Sequence, residues 1–140
     1  MKNKIIIIVS FLLSLLYLSS CMGTLDWSYA LPNGYELTHV NSVTILVSHT
    51  EEDFQVDGIP SFIKEFAYDD RYVFTRNVVS IDDNNIFNEL YYVLDTKERK
   101  TYGPFENLEI LKTETENLKI EIPKRWYRTS PDPYVAFEKS

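Results

Sequence analysis

The sequence is poor in the residues on which most catalytic and redox chemistry depends. It contains one cysteine, two histidines and four glycines in 140 residues. A single cysteine excludes an internal disulfide and a C-x-x-C redox pair. The glycines are isolated from one another, and the G-x-S-x-G motif of serine hydrolases is absent. We therefore expect no catalytic residue, no bound metal, no cofactor and no enzymatic activity.

Positive charge is also scarce. The chain has 14 Lys and Arg residues against 21 Asp and Glu residues, which gives a formal net charge of −7. Nucleic-acid binding relies on Lys and Arg to displace counterions from phosphates, so an acidic domain is repelled. We expect no nucleic-acid partner.

Long hydrophobic runs are limited to the first twenty residues. Ile5 to Leu18 is interrupted only by Ser10 and Ser14 and follows a basic start. The run is short for a membrane span and is typical of an export signal. It ends at Leu18-Ser19-Ser20-Cys21, which resembles the bacterial lipobox. The alternative is a buried free cysteine behind an uncleaved anchor.

The lipobox predicts that residues 1–20 are a lipoprotein signal peptide and that Cys21 is lipidated. Cleavage would leave 120 residues and would move the net charge to −9, because Lys2 and Lys4 are removed. Acyl chains would then anchor the protein on the extracytoplasmic side of a cell membrane or an outer membrane. The predicted contact with the membrane is thus the lipid on Cys21.

The rest of the chain is dominated by β patterns. Apolar residues alternate from Leu25 to Leu31 and again from Tyr35 to Val40, on either side of a Pro-Asn-Gly turn, which predicts a hairpin. Further β-rich runs lie at 43–47, 61–67, 71–75 and 90–94. For 61–67, a short helix that begins at Pro60 is the alternative.

A helix is predicted after the strands. Gly103-Pro104 breaks the β pattern, and Pro104 suits the first helical position. Apolar positions from Leu108 to Leu118 then recur at helical spacing. We predict a mainly β (α+β) fold, an antiparallel meander of about six strands with one C-terminal amphipathic helix packed on it. Residues 21–122 would form the lipid-anchored β-rich domain, with 119–122 as a short edge strand, and 123–140 a Pro-rich, partly docked tail.

Five short segments, which follow one another along the chain, together carry a resemblance to a known family. They are Leu31 to Leu37, Ile59-Pro60, Glu65 to Val73, Tyr92 to Asp95 and Tyr102 to Pro104. This set resembles the uncharacterised small bacterial lipoproteins of domain of unknown function 3997. The resemblance covers roughly residues 21–118 and implies a small β-rich lipoprotein domain. It transfers no activity, substrate or catalytic residue.

Two histidines and one acidic segment are the candidates for metal or catalytic chemistry. His39 lies on the apolar face of a predicted strand, which favours a satisfied structural histidine. His49 precedes the acidic residues 51–53 and would make a metal site with them, but we favour a solvated loop over 49–58. Residues 82–85 offer oxygen ligands for Ca²⁺ without the glycine and distal glutamate of an EF-hand.

One segment concentrates cations and aromatics in this acidic chain, and we take it as the candidate binding surface. It consists of Lys124, Arg125, Trp126, Tyr127 and Arg128. In one interpretation it folds back and Trp126 caps the core. In the other, flanking prolines hold it extended and clear of the sheet, where it faces the anionic envelope.

These expectations favour a membrane-anchored envelope lipoprotein with a non-catalytic binding role toward an envelope protein or cell-wall partner. The first alternative is an inhibitor or immunity-type protein whose acidic surface captures a cationic envelope enzyme. The second is a carboxylate-based hydrolase, because 21 acidic residues leave paired carboxylates open.

Overall fold

The computed structural model describes residues 27–41, 44–55, 58–80, 87–130 and 133–139. These residues form two antiparallel sheets and one α-helix. Cys21, the predicted signal segment 1–20 and the candidate Ca²⁺ segment 82–85 lie outside the described residues. Within the described ranges, no helix combines the length and apolar composition that crossing a membrane requires.

The smaller sheet contains four strands in sequence order. They are β1 (Ser28–Ala30), β2 (Tyr35–His39), β3 (Ile45–His49) and β4 (Glu52–Gln55). The predicted hairpin is confirmed, because β1 and β2 pair antiparallel around a 3-10 turn at Pro32–Gly34. Asn33 and Gly34 both have positive φ in this turn, a conformation that Asn and Gly tolerate better than other residues.

The larger sheet contains six strands. They are β5 (Ile63–Tyr68), β6 (Tyr72–Ser80), β7 (Phe87–Asp95), β8 (Lys100–Phe105), β9 (Arg125–Arg128) and β10 (Ala136–Glu138). Their order across the sheet is β10-β9-β5-β6-β7-β8. The strand interpretation of 61–67 is confirmed by β5, which pairs antiparallel with β6.

The helix, α1 (Leu108–Asn117), begins later than we predicted. Gly103 and Pro104 lie inside β8, an edge strand of the larger sheet in which the missing proline N–H is tolerated. Gly103 has φ +116, and a Cβ there would lie 2.8 Å from the Tyr91 carbonyl oxygen. The helix starts where Asn107 caps it, because the Asn107 side chain accepts a hydrogen bond from the Ile110 N–H.

The larger sheet lies between two hydrophobic cores. One core joins the two sheets and includes Leu37, Val47, Phe66 and Leu94, all buried. The other lies on the opposite face, where α1 and β9 contribute Leu111 and Trp126 beside Phe74 and Val93. The predicted mainly β fold with one packed helix is confirmed. The smaller sheet covers one face of the larger sheet and the helix covers part of the other.

The segment after α1 contributes to the larger sheet. Residues 119–122 do not form the predicted edge strand; Ile120 is buried instead, and its N–H donates to the Thr115 carbonyl oxygen. Within 123–140, β9 pairs with β5 and β10 pairs with β9. Strands β9 and β10 therefore extend the larger sheet beyond β5, at the edge opposite β8, the strand that precedes α1.

Candidate functional site

Four tyrosines from separate parts of the chain meet at one side of the two-sheet stack. Tyr29 lies on β1, Tyr68 ends β5, Tyr127 lies on β9 and Tyr134 precedes β10. Together with the buried Phe66 beneath them, we call them the tyrosine cluster. Strand alternation places Phe66, Tyr68 and Tyr127 on the face of the larger sheet that meets the smaller sheet.

The rings of the tyrosine cluster are in direct contact. Tyr127 stacks on Phe66 with centroids 5.2 Å apart and on Tyr68 at 5.7 Å, each with an interplanar angle of 20°. Tyr29 meets Phe66 edge to face at 5.0 Å. Both geometries are favourable for aromatic pairs, so the cluster is a pre-ordered aromatic surface.

The hydroxyl groups of the cluster are also linked. The Oη atoms of Tyr29 and Tyr68 lie 2.9 Å apart. Burial raises the pKa of Tyr29 well above its ordinary range, and hydrogen bonds with Tyr68 and Tyr127 raise it further. Tyr29 therefore stays protonated, and the cluster offers neutral rings and hydroxyls for contact rather than a general base.

Tyr134 is the most accessible member of the cluster. Its side chain is 63% exposed, and the next residue, Val135, is 62% exposed. The Tyr134 hydroxyl donates to the Ser28 carbonyl oxygen at 3.3 Å, and its ring lies 5.3 Å from that of Tyr29. The turn before β10 thus brings an exposed aromatic ring against the edge strand β1.

The basic segment 124–128 does not form one cationic surface. Because it is a strand, successive side chains point to opposite faces. The Arg125 guanidinium lies 5.4 Å from the Tyr127 centroid, while that of Arg128 lies over Phe137 on the other face. Trp126 is 1% exposed in the core under α1. Of the two interpretations given for this segment, the one in which prolines hold it clear of the sheet is wrong, since β9 pairs with both β5 and β10.

Glu65 is the centre of an ion-pair network on the face of the larger sheet that carries α1. Its carboxylate accepts from Arg76 Nε at 3.0 Å and from Lys139 Nζ at 2.5 Å, and it is 12% exposed. Arg76 also pairs with Glu89 at 2.7 Å. Burial alone would raise the pKa of Glu65, but its bonds to Arg76 and Lys139 prevail and hold that pKa below its usual range.

Asp95 is a second carboxylate held by a cation, and it is buried. It accepts from Arg71 Nη2 at 2.6 Å and from the backbone N–H groups of Lys97 and Glu98. Burial works to raise the pKa of Asp95, yet these hydrogen bonds hold it below its usual range. Asp95 and Glu65 thus have structural partners that keep them ionised.

The two histidines occupy different environments from those we expected. His49 does not lie in an exposed loop; it ends β3, is buried, and meets the Tyr35 ring edge to face at 4.8 Å. His39 stacks on Trp27 at 5.4 Å, but its buried Nδ1 has no hydrogen-bond partner among the described residues, so it is not fully satisfied. In the described ranges, no three His, Cys, Asp or Glu side chains are placed to hold a metal.

The tyrosine cluster was missed at the level of sequence. Its members lie in four segments that come together only through the pairing of β9 with β5 and the packing of the two sheets. The sequence feature that pointed to an aromatic surface was the composition, since ten of the 140 residues are tyrosine.

Fold and site together define a small two-sheet β domain with one packed helix, an aromatic surface and structural ion pairs. The family follows from the sequence comparison. The chain belongs to the family described as Protein of unknown function (DUF3997), whose model matches residues 32–124. The matched region contains Tyr68 but ends before β9. No curated protein and no solved structure matches the chain.

Proposed function

We propose that this protein is a lipid-anchored lipoprotein of the bacterial cell envelope. In this proposal its domain binds an envelope protein through the tyrosine cluster, without catalysing a reaction. The exposed Tyr134 ring on the pre-ordered cluster is the observation that carries the binding role. Tyrosine and arginine are enriched at the energetic centres of protein interfaces, and Arg125 lies beside Tyr127.

The chemistry of Glu65 and Asp95 supports a non-catalytic role. Asp95 is buried and Glu65 is half-buried, which would raise the pKa of each, but their cation partners prevail and hold both below their usual range. A hydrolase would need one acid that stays protonated near neutral pH and a second that is ionised. The tyrosine cluster adds neutral groups only, which suits recognition more than proton transfer.

A photo-crosslinking experiment tests the binding site. A benzophenone amino acid placed at Tyr134 in the full chain should give a discrete protein adduct in intact cells. The Tyr127→Ala change in the same chain should reduce that adduct at least about fivefold, because the neighbouring ring contributes to the interface. The matched control position is Leu118, which is 45% exposed at the end of α1. An adduct at Leu118 and none at Tyr134 would contradict the proposal.

The same experiment addresses the inhibitor alternative, which one observation favours. The exposed side of α1 and its flanks carries five exposed glutamates, at positions 106, 109, 114, 116 and 121. Capture of a cationic enzyme there would give the adduct at Leu118. It would also weaken steeply between low and physiological salt, because screening acts on exposed charges.

The membrane anchor is tested separately through Cys21. The Cys21→Ala chain should remain at precursor size and should carry no acyl chain, because it lacks the thiol that accepts the lipid. Immunoblotting measures the size of the chain, metabolic labelling with a fatty acid measures acylation, and phase partitioning shows whether any mature-sized chain stays with the membrane. Ser20→Ala is the control that keeps the thiol. Mature-sized Cys21→Ala protein in the detergent phase would refute the assignment.

A further inference from the structure

A cavity of about 120 Å³ lies between α1 and the last two strands of the larger sheet, on the face away from the tyrosine cluster. Its wall has an apolar part and a cationic part. The residues that line it are Leu108, Ile122, Pro123 and Trp126, with Lys112, Lys124 and Lys139. Among the described residues in this wall, three are lysines and none is acidic, although the chain as a whole carries a net charge of −7.

The apolar part of the cavity is rigidly placed. The Trp126 ring is buried against Phe74 and Leu111, and its Nε1–H donates to the Pro123 carbonyl oxygen at 2.9 Å. Leu108 is the first residue of α1, and Ile122 packs against the same core. The cavity wall is therefore preformed, and binding an apolar ligand group there would cost the protein little conformational entropy.

The cationic part has capacity for an anion. Lys139 Nζ lies 4.3 Å from the Trp126 centroid and shares Glu65 with Arg76. Within the described ranges, Lys112 pairs with Glu109 at 3.3 Å, and that carboxylate is exposed, so water competes for the pair. Lys124 is exposed at the mouth of the cavity. The N-terminal end of the ten-residue helix α1 adds positive partial charge beside Leu108.

We propose that this cavity binds a small organic anion, in which a carboxylate or phosphate group contacts the lysines and an apolar body contacts the partly exposed Leu108, Ile122 and Pro123 beside the buried Trp126. The cavity volume admits a ligand the size of a single ring with one charged group. Anions form charge-assisted hydrogen bonds with lysine, and the partly exposed apolar side chains of the wall provide contact area for the rest of the ligand. The site is independent of the tyrosine cluster and of the membrane anchor.

The test uses the indole resonances of the full chain in detergent micelles, labelled with ¹⁵N at tryptophan. The chain has two tryptophans, and Trp27→Phe assigns the Trp126 signal. Benzoate and phenyl phosphate are the anionic probes, and benzamide is the neutral probe of similar shape. We expect a saturable shift of the Trp126 Nε1–H signal with at least one anion and no saturable shift with benzamide.

Two double variants separate the cavity from general charge. Lys112→Ala/Lys124→Ala should raise the dissociation constant of the anion about tenfold, because two of the three cations are lost. Lys64→Ala/Lys97→Ala removes the same charge from exposed positions outside the cavity wall and should leave binding unchanged. Equal shifts with benzamide, equal weakening in both variants, or no saturable shift with either anion would overturn the proposal.

Discussion

Replacing Trp126 by alanine should lower the free energy of unfolding by about 3–5 kcal/mol, the range for aromatic truncation in a core. Trp126 is 1% exposed and packs with Phe74, Leu111 and Ile120. It is also the main apolar contact of β9 with the helix side of the larger sheet. Thermal unfolding followed by near-UV circular dichroism should show a fall in Tm of about 10 °C or more.

Two further variants separate the loss of the buried Trp126 ring from the loss of its hydrogen bond and from the removal of an exposed aromatic. Trp126→Phe keeps most of the ring and loses the hydrogen bond to the Pro123 carbonyl oxygen, so we expect a smaller loss of about 1–2 kcal/mol. Tyr134→Ala removes an exposed aromatic from the same part of the chain and should cost less than about 1 kcal/mol. A loss below 1 kcal/mol for Trp126→Ala would show that β9 does not dock on the core.

Replacing Glu65 by glutamine should lower the free energy of unfolding at pH 7 by about 2–3 kcal/mol. Breaking a buried ion pair typically costs about 3–5 kcal/mol because an uncompensated charge remains. The expected value is lower here, since Arg76 keeps its contact with Glu89. Lys139 is the group left without its carboxylate, and its side chain is only 16% exposed. Urea unfolding of both chains at pH 7 measures the difference.

The Glu65 effect should depend on pH in a defined direction. The folded-state pKa of Glu65 lies below its ordinary value, through the bonds to Arg76 and Lys139 that outweigh burial. The contribution of Glu65 to the free energy of unfolding is therefore complete above about pH 5, and it is lost as the pH falls through the folded-state pKa. Urea unfolding at pH 3 should show the two chains closer in stability than at pH 7. Glu89→Gln is the matched control, because this more exposed residue contacts the same arginine.

The strands that the sequence predicted well are those with one clear pattern. In β2 (Tyr35–His39), buried side chains alternate with partly exposed ones at the start of the strand. The turn before it has positive φ at Asn33 and Gly34, which these residue types tolerate. The residue types of the turn and the spacing of the strand therefore predict the same hairpin. These elements depend on local sequence and on one core face, which is the information that periodicity contains.

The elements that were misplaced depend on contacts from distant segments. In β9, Trp126 enters the helix-side core while Tyr127 packs toward the other sheet, so both faces are occupied and no alternation appears. Helix α1 starts after the Asn107 cap and not at Pro104, as we predicted, because the β8 edge accommodates Pro104. The tyrosine cluster assembles from four segments, so no single window contains it.

Pro104 limits strand pairing between neighbouring copies of the protein. It lies in β8, which forms one edge of the larger sheet, and proline cannot donate a backbone hydrogen bond to an added strand. The opposite edge, β10, is only three residues long, which also discourages pairing between chains. Lipid anchoring would concentrate copies in two dimensions, where open sheet edges promote aggregation. We expect these two edges to keep crowded copies separate.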